Sequence, residues 1–361
     1  MDGDTPGEDE PTGDDKTSRR KSFAVAADVA KRAGVSTATV SRVLNGSAGV
    51  SAKKRAAVLK AAEDLDFVAN GAARALSTKR FMTIGAVVPN IENEGFLKAL
   101  SAFQARLRHI GYTLVLTNSG YDLDVELREA TALLSRGVDG LLLVGDIHRA
   151  ELFAMSERMG VPLVQTFTLS AARPCVGFDN VAATRRAAQF LLDLGHRHIA
   201  VVTGSRRDND RAQSRVEGVR SALAARGLSI HPAHDVIVSY GIGAGRDAMR
   251  HILGAEGVPR PTAIVCGTDQ LAFGVMIEAQ SRGLDVPRDL SITGFNDADY
   301  TAFLSPPLTT LRIRATEIGQ AAADYLAACL RGETAVRVTE IAAELIVRES
   351  TAPPPDRELP V

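Results

Sequence analysis

At 361 residues the chain exceeds what one small core needs, and 45% apolar residues with no tryptophan is the composition of an ordinary globular protein of two or three domains. No apolar run reaches the ~18 residues of a membrane span, and the acidic start lacks the basic-then-apolar pattern of a secretory signal. The net charge of −1 hides an asymmetry: residues 1–15 carry seven carboxylates and no Lys or Arg, whereas residues 16–80 carry fourteen Lys/Arg against four Asp/Glu. A basic block beside a mildly acidic body is the electrostatic footprint of a nucleic-acid-binding head on a second domain. Three well-separated cysteines, Cys175, Cys266 and Cys329, lack metal-ligand spacing and argue for reduced thiols in a cytosol. No metal and no cofactor is expected.

In chain order, residues 1–22 read as a disordered acidic-then-basic tail. Residues 23–67 read as three helices near 26–33, 36–44 and 51–64, the third N-capped by Ser51. Residues 68–80 are small, polar and basic, a linker with weak helical pattern. From Phe81 to residue 349, β-rich runs such as "TIGAVV", "YTLVLTNS" and "GLLLVG" alternate with helical stretches, and the texture recurs in "HIAVVTG", "TAIVCG" and "LSITGF". Such alternation marks βαβ units. It predicts two doubly wound parallel-sheet lobes with a ligand crevice at the strand C-terminal ends. The first lobe is expected to hold about 81–179 plus 309–337, and the second about 180–308 plus 338–349. A helix near 314–331 and one last strand in "RVTEIAAELIVRE" close the fold, and residues 350–361 read as a loose Pro-rich tail.

The stretch "AADVAKRAGVSTATVSRVLNG" packs two short helices around Gly34, a residue that tolerates the left-handed turn. Ser36 is placed to cap the second helix. Ala30, Val35, Val40 and Val43 can face inward, which leaves Thr37, Ala38, Ser41 and Arg42 outward. Short polar side chains and one arginine suit a helix in the major groove, where a guanidinium makes a bidentate contact to guanine.

Together with "ANGAARAL", "TIGAVVPNIEN", "RGVDGLLLV", "LGHRHIAVVTG", "RVEGVRSAL", "DVPRDLSITGFND" and "PPLTTLR", this stretch resembles the LacI/GalR family of bacterial transcription regulators, in order from Asp28 to Arg348. The resemblance implies a homodimer on a pseudo-palindromic double-stranded operator. Each protomer would have a helix–turn–helix head, a hinge helix and a two-lobed core like periplasmic sugar-binding proteins. A small-molecule effector between the lobes would act as the switch. Thr37, Ala38 and Arg42 occupy base-reading positions; Ser36, Thr39, Ser41 and Asn45 fall where the family contacts phosphates. "NGAARAL" matches the hinge helix, placing Ala73 and the wedge residue Leu76 in the minor groove. Departures are Val25 in place of a threonine cap, so that the first helix is expected to fray, Val68-Ala69 in place of a residue–proline pair, and Ala38, which offers a base only methyl contact.

In the crevice the resemblance implies Phe96, Phe167, Arg215, Tyr240, Thr268 and Asn296 as effector contacts, with Asp269 capping the following helix. Asn296 stands where a carboxylate is more usual, and Phe167 where some relatives are polar. A sugar or sugar derivative is the first expectation, with a nucleoside or a controlling partner protein as alternatives. An enzyme is disfavoured: no G-x-G-x-x-G follows the early strands, no Walker lysine loop and no G-x-S-x-G elbow occurs, and the histidines form no ligand cluster. An exported sugar receptor would need a signal and would not carry the basic head.

Overall fold

The computed structural model describes residues 24–44, 49–68 and 80–355. They divide into two compact units, with the boundary between Phe81 and Met82. In the first unit, α1 (Ala26–Ala33), α2 (Thr37–Leu44) and α3 (Ala52–Asp64) bury Val29, Ala30, Val40, Val43, Val58 and Ala61 against one another. Helices this short do not persist alone, so the shared apolar cluster holds them. Gly34 ends α1 at φ 64°, a left-handed conformation free of Cβ strain in glycine. Ser36 Oγ accepts the Thr39 N–H at 3.3 Å and so caps α2. Val25 offers α1 no side-chain cap, yet Asp28 reaches back to accept the Val25 N–H at 2.9 Å and ties the first turn that was expected to fray.

The second unit is a pair of doubly wound lobes. The first contains β1 (Thr83–Val88), β2 (Thr113–Asn118), β3 (Gly140–Val144), β4 (Leu163–Thr166), β5 (Cys175–Gly177) and β11 (Val338–Glu340). The second contains β6 (Ile199–Thr203), β7 (Asp235–Ile237), β8 (Ala263–Cys266), β9 (Ser291–Asn296), β10 (Thr309–Arg312) and β12 (Glu344–Ile346). The sheet orders are β11-β5-β4-β3-β1-β2 and β12-β10-β9-β8-β6-β7, parallel throughout except for β12 on β10. Helices α4 (Glu94–Arg108), α5 (Leu123–Ser135), α6 (Ala150–Met159) and α11 (Ala315–Arg331) cover the first sheet. Helices α7 (Asn180–Asp193), α8 (Asp210–Ala224), α9 (Ile242–Leu253) and α10 (Asp269–Ser281) cover the second. The central strands β3, β6 and β8 are buried at every position, as strands covered on both faces must be.

Both sheets reverse their winding beside their first strand, between β1 and β3 and between β6 and β8. Open α/β sheets bind ligands outside the strand ends at such switch points.

The lobe boundaries differ from expectation in two places, at β10 and at β11. Strand β10 pairs with β9, so residues 309–312 belong to the second lobe. The expected single last strand is two: β11 joins β5 in the first lobe, and β12 joins β10 in the second. The chain crosses between them at Ile341–Ala343, where Arg186 donates to the Ala343 carbonyl at 2.8 Å. Residues 350–355 are not loose where they follow the strand. Ser350 is fully buried, accepts the Thr309 N–H at 2.8 Å and donates to the Ile292 carbonyl at 2.6 Å. Ala352 in turn accepts from Ser291 Oγ at 3.0 Å. The segment satisfies backbone and hydroxyl groups that the second sheet would otherwise leave unpaired.

Candidate functional site

Two regions gather the residues singled out in the sequence. In the head, burial of Val40 and Val43 fixes the rotation of α2 and turns Thr37, Ala38, Ser41 and Arg42 to the exposed side. Thr39 is half-buried, its hydroxyl 3.0 Å from that of Ser36, so the two hydroxyls form one polar corner at the start of the helix. Expectations for Asn45, Ala73 and Leu76 fall outside the described residues.

The second region is the crevice between the lobes. Arg215, on α8, donates from Nε to Asn180 Oδ1 at 3.1 Å and from Nη1 to the Gly267 carbonyl at 2.7 Å. Its guanidinium carbon lies 3.6 Å from the centre of the Phe295 ring, a cation–π contact. Burial pulls its pKa down to about 10. Phe96 and Phe167 meet edge to face at 4.9 Å in the first lobe. Tyr240 stacks on Tyr121 of the opposite lobe, centroids 5.2 Å apart, while its hydroxyl accepts from Asn209 at 3.0 Å. These two tyrosines line a cleft of about 490 Å³ with Asp122, Arg149, Ser205 and Arg207. Thr268 and Asn296 line a separate pocket of about 10 Å³ with Asn93, Glu94 and Tyr300.

Thr268, not Asp269, caps α10: its Oγ1 accepts the Leu271 N–H at 3.3 Å. Asp269 instead accepts the Ala298 N–H at 2.8 Å and the Thr310 hydroxyl at 2.5 Å. The cap falls to Thr268 because it is the last extended residue before the helix.

Sequence reasoning missed Tyr121, Asn180 and Arg211. Arg211 Nη1 reaches across the crevice to the Val144 carbonyl at 3.1 Å and pairs with Asp210 Oδ1 at 2.7 Å. Asn180 holds Arg215 on one side and donates to the Phe167 carbonyl, at 3.0 Å, on the other. The one signal for Arg211 was its place four residues before Arg215, on the same face of a helix. Backbone conformation marks the same region. Tyr121, Phe167, Asp208, Asn296 and Asp297 all have φ between 56° and 122°. Such residues cost roughly 1–3 kcal/mol each and concentrate at functional sites.

A three-helix head and a two-lobed core with a crevice at paired switch points define a DNA-binding regulator built on a periplasmic-binding-protein-like fold. The model for bacterial regulatory proteins of the lacI family matches residues 26–70, and that for the periplasmic binding protein-like domain matches residues 188–351. The HTH-type transcriptional regulator MalR of Streptomyces coelicolor is 36% identical over 343 residues, 91% of this chain and 97% of that one. Catabolite control protein A of Priestia megaterium is 33% identical over 309 residues, 85% of this chain and 92% of that one. A structure of the lac repressor dimer bound to operator and the anti-inducer ONPF aligns with a TM-score of 0.81 at 26% identity, covering 92% of this chain and 100% of that one. The chain belongs to the LacI family of bacterial transcriptional regulators, and its relatives are regulators, not enzymes.

Proposed function

We propose that this regulator is a cytoplasmic repressor that binds a pseudo-palindromic operator as a homodimer and is controlled by a small molecule, a sugar or sugar derivative, held between the lobes. The observation that carries the DNA-reading half is the rotation of α2, which buries Val40 and Val43 and leaves Thr37, Ala38 and Arg42 exposed. In this reading those three residues face base edges, and Ser36, Thr39, Ser41 and Asn45 contact phosphates. Ala73 and Leu76 enter the minor groove. Phe96, Phe167, Arg215, Tyr240, Thr268 and Asn296 surround the effector. A dimer is supported by β2, an edge strand whose Val115 and Leu116 remain about 40% exposed, and by the dimeric lac repressor at TM-score 0.81.

The experiment is a gel-shift titration with an operator selected from random DNA. Arg42→Ala lowers the operator-to-random affinity ratio about 5- to 150-fold per half-site, the worth of one bidentate arginine–guanine contact. Salt-sensitive binding to random DNA survives through cations such as Lys53 and Lys54. An unchanged ratio removes α2 from base reading.

A further inference from the structure

Arg211 and Arg215 stand one helical turn apart on α8, at the switch points of both sheets. Arg211 reaches the Val144 carbonyl that ends β3, and Arg215 reaches Gly267, the residue after β8. Gly145 makes the first approach possible, because a Cβ at that position would overlap the Arg211 guanidinium. The partners of Arg215 (Asn180 Oδ1, the Gly267 carbonyl and the Phe295 ring) are all uncharged. Arg211 has one carboxylate, Asp210. Asp146, next to Gly145, directs Oδ1 to the Gln165 amide at 3.2 Å.

Two cations on one face of a helix, Arg211 buried and Arg215 half-buried, thus have one carboxylate between them. Phe167 and Asn296, which also stand in the crevice, contribute no charge to offset them. A guanidinium removed from water is costly unless an anion compensates it. Burial pulls Arg215 to about 10; Arg211 acts in the same direction, and Tyr240, Tyr121 and Asp210 act against it. Guanidinium groups bind carboxylate and phosphate oxygens through paired N–H donors.

We propose that the effector of this regulator carries an oxyanion, a carboxylate or a phosphate, which binds between Arg211 and Arg215, with Arg211 selecting charged over neutral ligands. The inference rests on the reading of the crevice as the effector site. The uncharged remainder of the ligand lies toward the Phe96–Phe167 pair.

The test uses the full chain and a matched set of probes: D-glucose, D-gluconate, D-glucose 6-phosphate and inorganic phosphate. Thermal melting and calorimetry are compared for the wild type, Arg211→Gln and Arg211→Lys. The expected result is stabilisation by at least one oxyanion probe, with binding at least ~tenfold tighter than that of D-glucose. Arg211→Gln loses that preference and Arg211→Lys retains part of it, while both variants melt cooperatively without ligand. Because the basic head also attracts anions, only stabilisation that depends on Arg211 counts. Equal binding of D-glucose and the anions overturns the proposal, as does anion binding unaltered by Arg211→Gln, or no oxyanion binding at all. Operator gel shifts with the same probes separate the two readings. Release of operator by D-glucose alone sinks the oxyanion and keeps effector control. Arg211-dependent anion binding that leaves operator affinity unchanged keeps the oxyanion site and sinks effector control through it.

Discussion

Asp269 and Asp297 sit close together in the second lobe and titrate in opposite directions because they meet different donors. Burial pushes Asp297 up, but Arg348 and Arg312, each 2.7 Å away, outweigh it and hold the carboxyl below its usual range. Asp269 meets only neutral donors, Thr310 Oγ1 and the Ala298 N–H, and burial pushes it up to about 6. The folded protein therefore keeps a proton on Asp269 that the unfolded chain releases near pH 4. Stability from this group is fully present below the unfolded value and is lost as pH rises through about 6. The loss by neutral pH is on the order of 2–3 kcal/mol. Asp297 works the other way, its contribution lost only in acid. Thermal melting from pH 4.5 to 7.5 is expected to fall with pH in the wild type, and Asp269→Asn is expected to flatten that slope whatever constant offset it adds. Identical slopes in the two proteins would remove Asp269 as the cause. The sequence marked this residue as a helix cap, since "GTDQ" places Thr268 and Asp269 side by side at the helix start. Thr268 takes the cap as the last extended residue, whereas the approach of Ala298 and Thr310 to Asp269 is a long-range arrangement that only the folded sheet decides.

Elements governed by local rules were legible in the sequence. α1, α2 and α3 follow from apolar spacing, the glycine turn and the hydroxyl caps, and the strand–helix alternation of the core follows from its period. The lobe membership of β10 and β11 was not legible, because pairing β10 with β9 or β11 with β5 is a long-range choice that "PPLTTLR" and "RVTEIAAELIVRE" do not encode. Arg211 escaped for the same reason, its partner Val144 lying 67 residues away in sequence. The turn between α1 and α2 gives the element-scale prediction. Gly34→Ala leaves room for the new methyl group, since no atom lies within 4 Å of it, so its cost is conformational. A Cβ at φ 64° costs roughly 1–2 kcal/mol, borne by a head whose core is six buried side chains. Melting followed through the head is expected to shift down, with weaker operator binding, while melting of residues 82–361 stays where it was. A drop in core melting with an unaltered head would contradict the division of the chain at Phe81.

Across the core as a whole, regulation by a ligand requires two lobe arrangements and a ligand that binds them unequally. Among the described residues, the contacts that bridge the lobes in this arrangement include Arg211 on the Val144 carbonyl, Asn180 on the Phe167 carbonyl, Tyr240 on Tyr121, and Lys98 with Asp299 at 2.6 Å. Their physical weight differs. Lys98 and Asp299 are 42% and 89% exposed, so water and salt screen the pair and it contributes little to closure. Arg211 is 6% exposed on a buried carbonyl, where a charged hydrogen bond keeps its strength. Gly145→Ala puts a methyl group where the Arg211 guanidinium lies, and the arginine must leave the carbonyl. Losing that bond, on the order of 2 kcal/mol, shifts the ratio of closed to open forms by about 30-fold. Small-angle scattering is then expected to report more open cores for Gly145→Ala, and calorimetry a weaker affinity for any ligand that binds the closed form. Lys98→Ala serves as the comparator, with wild-type scattering and affinity expected. If Lys98→Ala opens the core as far as Gly145→Ala does, closure is held by the exposed ion pair, and Arg211 has no special hold on the lobes.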